Sequence, residues 1–273
     1  MTSIRVRATA FLDDCASREL VAGQHHWRYF RGGEGDPVLL LSGGAGIGIS
    51  WLDLTPALLP HHRVLAPDYP ATVARTAELV DGLVAMLDAE GVERAHVVGQ
   101  SAGGMYAELL SRRVPERIRS LTLTSTGLYG PADVDRLRMR VDTTLATPWE
   151  QTREAVRTAL RAAWQHSEDA EFWIEQVEAA TAAGGREGSA NSYRLLLEIA
   201  RGVEELLSEP AWPGPTLLVK AEDDPLITTT HTDRLRTAHP AAEFRSFPDG
   251  GHSLLLSRPA DYIAAVTEFL SRT

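Results

Sequence analysis

The chain has 273 residues, of which 44% are hydrophobic and 23% are charged, as in ordinary globular proteins rather than disordered or fibrous ones. Acidic residues outnumber basic ones by 37 to 27, which gives a formal net charge of −10. Because this charge repels nucleic-acid phosphates and anionic membranes, and no block of Lys or Arg stands out, we expect neither as a partner.

The N-terminus and the cysteine content favour a particular compartment. The first residues contain no apolar segment typical of a secretory signal, and no apolar run approaches the roughly 20 residues that a membrane span needs. Cys15 is the only cysteine in the sequence, so an intrachain disulfide is impossible. We therefore expect a cytoplasmic protein in which Cys15 has a structural or incidental role.

The first 36 residues alternate apolar and polar positions without helical spacing. Ile4, Val6 and Ala8 fit one strand, residues 26–30 fit another, and a glycine-rich turn follows. The pattern predicts an antiparallel pair of strands ahead of the main sheet.

From residue 38 onwards, short apolar segments alternate with segments of helical spacing. The apolar segments have the continuous character of strands that are buried on both faces. Strands are predicted at 38–41, 64–66, 96–98, 121–123, 216–219 and 243–247. Helices are predicted at 51–59, 73–90, 105–113, 231–238 and 260–271. This alternation predicts right-handed crossovers and a mostly parallel sheet.

The alternation stops between residues 131 and 208. This stretch is helix-rich, is divided by the glycines of 184–188, and contains Trp149, Trp164 and Trp173. Because the later strands are needed to complete the sheet, we interpret 131–208 as a helical cap rather than an independent domain. The core domain would then consist of 1–130 and 209–273. The three tryptophans would either line an apolar pocket or pack inside the cap.

The segment Gly99-Gln100-Ser101-Ala102-Gly103 matches the motif G-x-S-x-G and lies between a predicted strand and a predicted helix. In this motif the serine occupies a strained turn, and its neighbours two residues away lack side chains because the backbones approach closely. Ser101 is therefore a candidate nucleophile. The alternative is a serine at a helix entry beside flexible glycines.

Two further residues could activate this serine. His252 follows the last predicted strand, and histidine is the side chain whose ordinary pKa suits a base at neutral pH. An imidazole base needs a carboxylate that fixes its tautomer, and Asp224 follows the strand at 216–219. Asp223 is its rival, and both could instead cap the turn before Pro225.

A glycine-rich loop, 42–46, directly follows the strand at 38–41. Acyl transfer develops an oxyanion, which requires backbone N–H donors. We expect one donor at Ala102, directly after the candidate nucleophile, and the other at Gly44. The run 43–48 fits neither a dinucleotide-binding motif nor a P-loop, and no histidines have the spacing of zinc ligands. We therefore expect neither an organic cofactor nor a metal.

Taken together, these residues resemble the α/β-hydrolase superfamily over nearly the whole chain, including its order of serine, aspartate and histidine. The chain looks most like the capped branch that includes esterases, proline-iminopeptidase-like enzymes and carbon–carbon bond hydrolases. The resemblance implies an α/β-hydrolase fold, in which helices flank a mostly parallel central sheet and a helical cap is inserted. It also implies Ser101 as nucleophile, His252 as base, Asp224 as acid, and the amides of Gly44 and Ala102 as oxyanion donors.

Three positions depart from the pattern of this superfamily. Ser42 stands where the family usually has histidine, and Ala221 stands where a glycine usually follows the acid strand. The residues 68–70 lead almost at once into the next helix, where the family usually has a longer loop. The shorter loop removes part of one pocket wall, so the substrate preference of a subfamily does not transfer directly.

The main functional hypothesis is a serine hydrolase that cleaves an ester or thioester of a small, largely apolar substrate through an acyl-enzyme. An alternative is that the same site cleaves a carbon–carbon bond or catalyses a rearrangement or cyclisation in a biosynthetic pathway, because a fold does not fix its chemistry. A third hypothesis is a non-catalytic ligand-binding protein. Such proteins usually lose a member of the triad, whereas this sequence retains all three.

Overall fold

One continuous sheet forms the centre of the computed structural model, which describes residues 2–163 and 167–273. Within this described part, eight strands lie in the order β1-β2-β4-β3-β5-β6-β7-β8. The strands are β1 Cys15–Ala22, β2 His25–Gly32, β3 Asp36–Leu41, β4 His62–Asp68, β5 Ala95–Gln100, β6 Ile118–Thr124, β7 Thr216–Ala221 and β8 Glu243–Phe247. Strand β2 is antiparallel to β1 and β4, and the other neighbours are parallel. The predicted mostly parallel sheet is confirmed.

Helices cover both faces of the sheet. They are α1 Ile4–Asp14, α2 Thr55–Leu58, α3 Thr76–Ala89, α4 Ala102–Arg113, α5 Val134–Ala146, α6 Trp149–Ala163, α7 Ala170–Ser208, α8 Thr229–Ala238, α9 Leu254–Ser257 and α10 Pro259–Leu270. Leu39 and Leu41 of β3 belong to the core that includes α3, α4 and α8. Val38 and Leu40 belong to the opposite core, with α1, α2 and α10. This division follows from the two-residue period of a strand.

The predicted strand at the N-terminus is wrong, because residues 4–8 begin helix α1. Ile4, Ala8 and Phe11 are buried, and their spacing of four and three residues is that of one helix face. Val6, which fitted the alternating pattern, is 56% exposed. The antiparallel pair does exist, but its first strand is β1, which begins at the buried Cys15. The predicted strand at 26–30 lies within β2 and is confirmed.

Helices α5, α6 and α7, here called the helical insertion, separate β6 from β7. Gly185, with φ 57° and ψ −150°, interrupts α7 inside the predicted break at 184–188. Arg7 of α1 binds the insertion through Asp169 at 2.8 Å and the core through Asp53 at 2.7 Å. Helix α1 therefore joins the insertion to the core. Trp164 lies outside the described residues.

None of the helices in the described ranges combines the length and the apolar character that crossing a membrane requires.

Gly82 provides a test of the packing between α3 and β2. A Cβ at this position would overlap the indole ring of Trp27, which is buried. Alanine ordinarily stabilises a helix interior by about 1 kcal/mol over glycine, but overpacking a core costs about 1–3 kcal/mol. We expect Gly82→Ala to lower the free energy of unfolding by up to about 2 kcal/mol, measured by urea denaturation.

The matched control is Gly202→Ala in α7, where a Cβ would meet nothing within 4 Å. This variant should raise the free energy of unfolding by up to about 1 kcal/mol. Stabilisation by both alanines would contradict the packing described for Gly82.

Candidate active site

Ser101 occupies the sharp turn between β5 and α4. Its φ of 54° and ψ of −122° are unusual for a residue with a side chain. Its N–H donates to the carbonyl of Thr124 at 2.9 Å, and its own carbonyl accepts from the hydroxyl of Thr126 at 2.7 Å. The segment that begins at the end of β6 therefore holds the strained turn in place.

Close backbone packing explains the two glycines around this turn. A Cβ at Gly99 would lie 2.5 Å from the carbonyl oxygen of Gly103. A Cβ at Gly103 would overlap the carbonyl of Leu41, at the end of β3. Strand β5, helix α4 and strand β3 thus meet at distances that only glycine permits. The same contact brings the loop after β3 beside Ser101.

His252 lies in the loop between β8 and α9 and contacts both of the other predicted triad residues. Its Nε2 is 2.8 Å from the Oγ of Ser101, and its Nδ1 is 3.0 Å from Oδ2 of Asp224. With Nδ1–H donating to the carboxylate, Nε2 is free to accept the proton of the serine hydroxyl. The side-chain amide of Gln100 donates to the carbonyl of His252 at 3.3 Å, which helps to fix the loop.

The side chain of Asp224 is fully buried, with 0% exposure. Its Oδ1 accepts hydrogen bonds from the amides of Leu226 at 2.8 Å and Ile227 at 3.2 Å. Burial by itself raises the pKa of this carboxyl, but the bonds to His252 and to the two amides outweigh it and hold the pKa below its usual value. An ionised carboxylate therefore faces the imidazole at neutral pH.

Asp223, the rival in the sequence, has a different position. Its Oδ1 accepts a hydrogen bond from the amide of Gly251 at 2.7 Å. It therefore supports the loop that carries His252, whereas Asp224 contacts the imidazole itself.

The glycine loop, 42–46, lies in front of Ser101, and Gly44 lines the cavity there. Tyr69 anchors this loop, since its hydroxyl donates to the carbonyl of Ser42 at 3.0 Å and its amide donates to the carbonyl of Gly46 at 2.8 Å. The hydroxyl of Ser42 is buried and has no hydrogen-bond partner among the described residues. The short segment after β4 thus supplies the anchor of the loop, a role that the sequence did not reveal.

The cavity in front of Ser101, here called the inner cavity, has a volume of about 190 Å³. Its apolar lining includes Ile47, Trp51, Trp173, Val177, Leu255 and Leu256. Of the tryptophans singled out in the sequence, Trp173 lines this cavity, and Trp149 is not among the lining residues. Within residues 2–163 and 167–273, no three or more His, Cys, Asp or Glu side chains are grouped so as to hold a metal ion.

A second histidine–aspartate pair supports the loop of Asp224. Nε2 of His231 is 3.1 Å from Oδ2 of Asp133, and both side chains are buried. The amide of Thr228, next to Ile227, donates to Nδ1 of His231 at 3.2 Å. Burial lowers the pKa of His231, which keeps this acceptor unprotonated at neutral pH. No pattern in the sequence indicated a function for this histidine.

Comparisons with known proteins give the family of this chain. The model of the alpha/beta hydrolase family matches residues 38–266. The chain belongs to the alpha/beta hydrolase family. It is therefore an enzyme of the hydrolase class, and the fold expected from the sequence is confirmed.

Three similar proteins illustrate the range of this family. The α/β hydrolase described here is 29% identical to a protein named carbamate hydrolase RutD from Caulobacter sp. (strain K31), over 86% of this chain and 90% of that protein. It is 34% identical to 2-hydroxymuconate semialdehyde hydrolase from Pseudomonas sp. (strain CF600), over 42% of this chain and 45% of that protein. The structure of the enol-lactonase from Burkholderia xenovorans LB400 superposes with a TM-score of 0.77 at 20% identity, covering 93% of this chain and 100% of that one. At this identity the structural likeness shows the fold alone.

Replacing each of the two neighbouring aspartates separates their roles. Asp224→Asn removes the carboxylate that fixes the tautomer of His252, so kcat for p-nitrophenyl acetate should fall by about 10³–10⁴-fold. Asp223→Asn weakens only the bond to the Gly251 amide, and its kcat should stay within about tenfold of the wild type. Equal losses in the two variants would contradict the assignment of Asp224.

Replacing His231 tests the pair that supports the acid loop. His231→Ala leaves the amide of Thr228 without its partner and removes one of the partners of Asp133, which keeps its bonds to the Gly130 amide and to Arg136. The free energy of unfolding should therefore fall by about 1–3 kcal/mol. In His231→Asn the amide oxygen can replace Nδ1, and in His231→Gln the amide nitrogen can replace Nε2. Each of these variants should recover part of the loss in urea denaturation. If both were as unstable as the alanine variant, the two bonds would not carry the stability.

Proposed function

We propose that this α/β hydrolase cleaves the ester or thioester bond of a small-molecule substrate through a serine acyl-enzyme. The proposal is carried by the 2.8 Å contact between Ser101 Oγ and His252 Nε2, in a hydrogen-bonded chain that ends at the buried Asp224. A nucleophile bonded to a base, which a carboxylate orients, is the arrangement that activates a serine at neutral pH.

In the proposed reaction, the oxygen of Ser101 attacks the carbonyl carbon while its proton passes to Nε2 of His252. The carboxylate of Asp224 stabilises the imidazolium that forms. The amides of Ala102 and Gly44 donate to the oxyanion, and the N-terminus of α4 adds a favourable dipole. His252 then protonates the leaving oxygen or sulfur. A water molecule attacks the acyl-enzyme and gives its proton to His252. His252 passes this proton to the oxygen of Ser101 as its bond to the acyl carbon breaks, which releases the acid and the free serine.

The proposal of an ester or thioester bond, rather than an amide or carbon–carbon bond, rests on the leaving group and on the lining of the inner cavity. Alcohols and thiols leave with less assistance than amines or carbanions, and an apolar lining suits an uncharged group beside the scissile carbonyl. The similar carbamate hydrolase also bears a name that denotes a carbonyl carbon bonded to a heteroatom. We further propose that the helical insertion acts as a cap, since Trp173 and Val177 of α7 line the inner cavity.

A second candidate is hydrolysis of a carbon–carbon bond at the same site, which the similarity to 2-hydroxymuconate semialdehyde hydrolase favours. In that case the leaving group is a carbanion, which must be protonated at carbon. Product analysis with matched β-diketone and ester substrates separates the two candidates. Faster cleavage of the diketone would replace the proposal of an esterase.

The nucleophile is tested by intact-protein mass spectrometry after treatment with a fluorophosphonate. The wild type should gain one adduct, and Ser101→Ala should gain none and should lose hydrolysis of p-nitrophenyl acetate. Ser253→Ala is the matched control, because Ser253 lines the same cavity and has no place in the proposed mechanism. A folded wild-type protein without an adduct would contradict the proposal, as would labelling of Ser101→Ala.

A further inference from the structure

The inner cavity adjoins a larger cavity of about 670 Å³, here called the outer cavity. Gly44, Ala45 and Ile47 line both of them. The inner cavity, at about 190 Å³, is smaller than the roughly 300–1,000 Å³ typical of ligand pockets. A substrate of ordinary size therefore needs further space, and the outer cavity borders the same glycine loop.

The outer cavity lies between the core and the helical insertion. Arg28 and Phe30 project from one face of β2, and residues 176–195 of α7 form the opposite wall. Tyr69 and Tyr106 contribute an edge-to-face pair with ring centroids 5.4 Å apart. Secondary structure thus supplies most of the walls, which favours a preformed binding site.

The short segment after β4 explains why this space is open. The segment binds directly to α7, since the side-chain amide of Asn191 donates to the carbonyl of Ala71 at 2.8 Å. A Cβ at Gly188 would lie 2.8 Å from the Cβ of Ala71, so the helix and the segment are in close contact. The segment after β4 is thereby held at one end of the outer cavity. The longer loop expected from the family is absent at this position, which leaves the cavity open.

The two cavities differ in their chemistry. Gln176, Ser189 and Ser192 of α7 bring polar groups to the outer cavity. Its charged pair is already satisfied, because Arg28 binds Asp68 at 2.5 Å and Asp68 also accepts from the amide of Gly48 at 2.7 Å. A site whose charges are paired in this way suits neutral polar groups better than ions.

Tyr106 adds a polar group that lacks a partner. Its side chain lines the outer cavity and the residue is only 2% exposed. Among the described residues, no hydrogen bond holds its hydroxyl, whereas the hydroxyl of the neighbouring Tyr69 is bound. This hydroxyl is open to the cavity rather than enclosed by protein atoms, so a ligand in the cavity can donate to it or accept from it.

We propose that the outer cavity binds a neutral, hydrogen-bonding substituent of the substrate. The substrate is then an ester or thioester with a compact apolar group on one side of the scissile carbonyl and a larger uncharged polar group on the other. This inference rests on the proposed function. It changes the expectation of a small, largely apolar substrate, because the apolar part fills only the inner cavity.

The first test fills the outer cavity without touching the triad. Ser192→Phe places an aromatic ring in it, and Ala182→Phe is the control on an exposed position of the same helix, outside both linings. The probes are p-nitrophenyl acetate, the p-nitrophenyl ester of N-acetylglutamine, 6-O-acetylglucose, and the apolar esters p-nitrophenyl octanoate and octyl acetate. The second and third place the polar group on the acyl side and on the alcohol side, respectively.

In the wild type, at least one polar ester should have a higher kcat/KM than its apolar counterpart. Ser192→Phe should lower that value by at least about tenfold and change kcat/KM for p-nitrophenyl acetate by less than about twofold. Ala182→Phe should change neither. Preference for the apolar esters, or equal losses for all esters in a folded Ser192→Phe variant, would overturn the inference.

A second variant avoids the risk of misfolding. Tyr106→Phe removes only the hydroxyl and should lower kcat/KM for the polar ester by about threefold to tenfold, with p-nitrophenyl acetate unaffected. No change for the polar ester would contradict the role of this hydroxyl. Failure of the hydrolase proposal has a different signature, namely no hydrolysis of p-nitrophenyl acetate and no fluorophosphonate adduct in the wild type.

Discussion

The contact between three backbone segments, at the ends of β3 and β5 and at the start of α4, is the constraint on which the candidate site depends. Gly103 packs against the carbonyl of Leu41, and Gly99 packs against Gly103 itself. This approach bends the chain so sharply that Ser101 takes a positive φ, and it brings the loop of Gly44 beside the serine. The backbone strain at Ser101 is offset by two hydrogen bonds. The N–H of Ser101 donates to the carbonyl of Thr124, and its carbonyl accepts from the hydroxyl of Thr126.

Hydrogen bonds and charge hold the loop of Asp224 in place. The buried carboxylate of Asp224 is stable as an ion because two amides and an imidazole surround it. The loop that carries it continues to Thr228 and His231, and His231 binds Asp133 at the start of the helical insertion. The acid loop and the insertion are therefore parts of one hydrogen-bonded structure. A shift of the insertion would act on Asp224 as well as on the space above Ser101.

The contact between the helical insertion and the core also shapes the two cavities. Helix α7 contributes Trp173 to the inner cavity and Ser192 to the outer one, so a single element contacts both parts of the proposed substrate. Helix α1 holds the beginning of α7 through Arg7 and Asp169, and Asn191 holds its second half through Ala71. The apolar inner cavity, and the outer cavity with its polar groups on α7, share the glycine loop as a common wall, so one bound molecule could be oriented by its two unlike ends.

The sequence by itself determined the features that depend on short-range chemistry. The motif around Ser101, the parallel sheet, and His252 after the last strand follow from patterns within a few residues, because strand period and the close contact of Gly99 with Gly103 are local properties. Tertiary structure decided what local patterns leave open. Ile4, Val6 and Ala8 fitted a strand, but burial of Ile4, Ala8 and Phe11 against the core made a helix.

Asp223 and Asp224 are neighbours in sequence, and only the path of their loop turns the carboxylate of Asp224 to the imidazole of His252 and that of Asp223 to the amide of Gly251. The contacts of Tyr69 with Ser42, and of Asp133 with His231, join segments far apart in the chain, so only packing could bring them together.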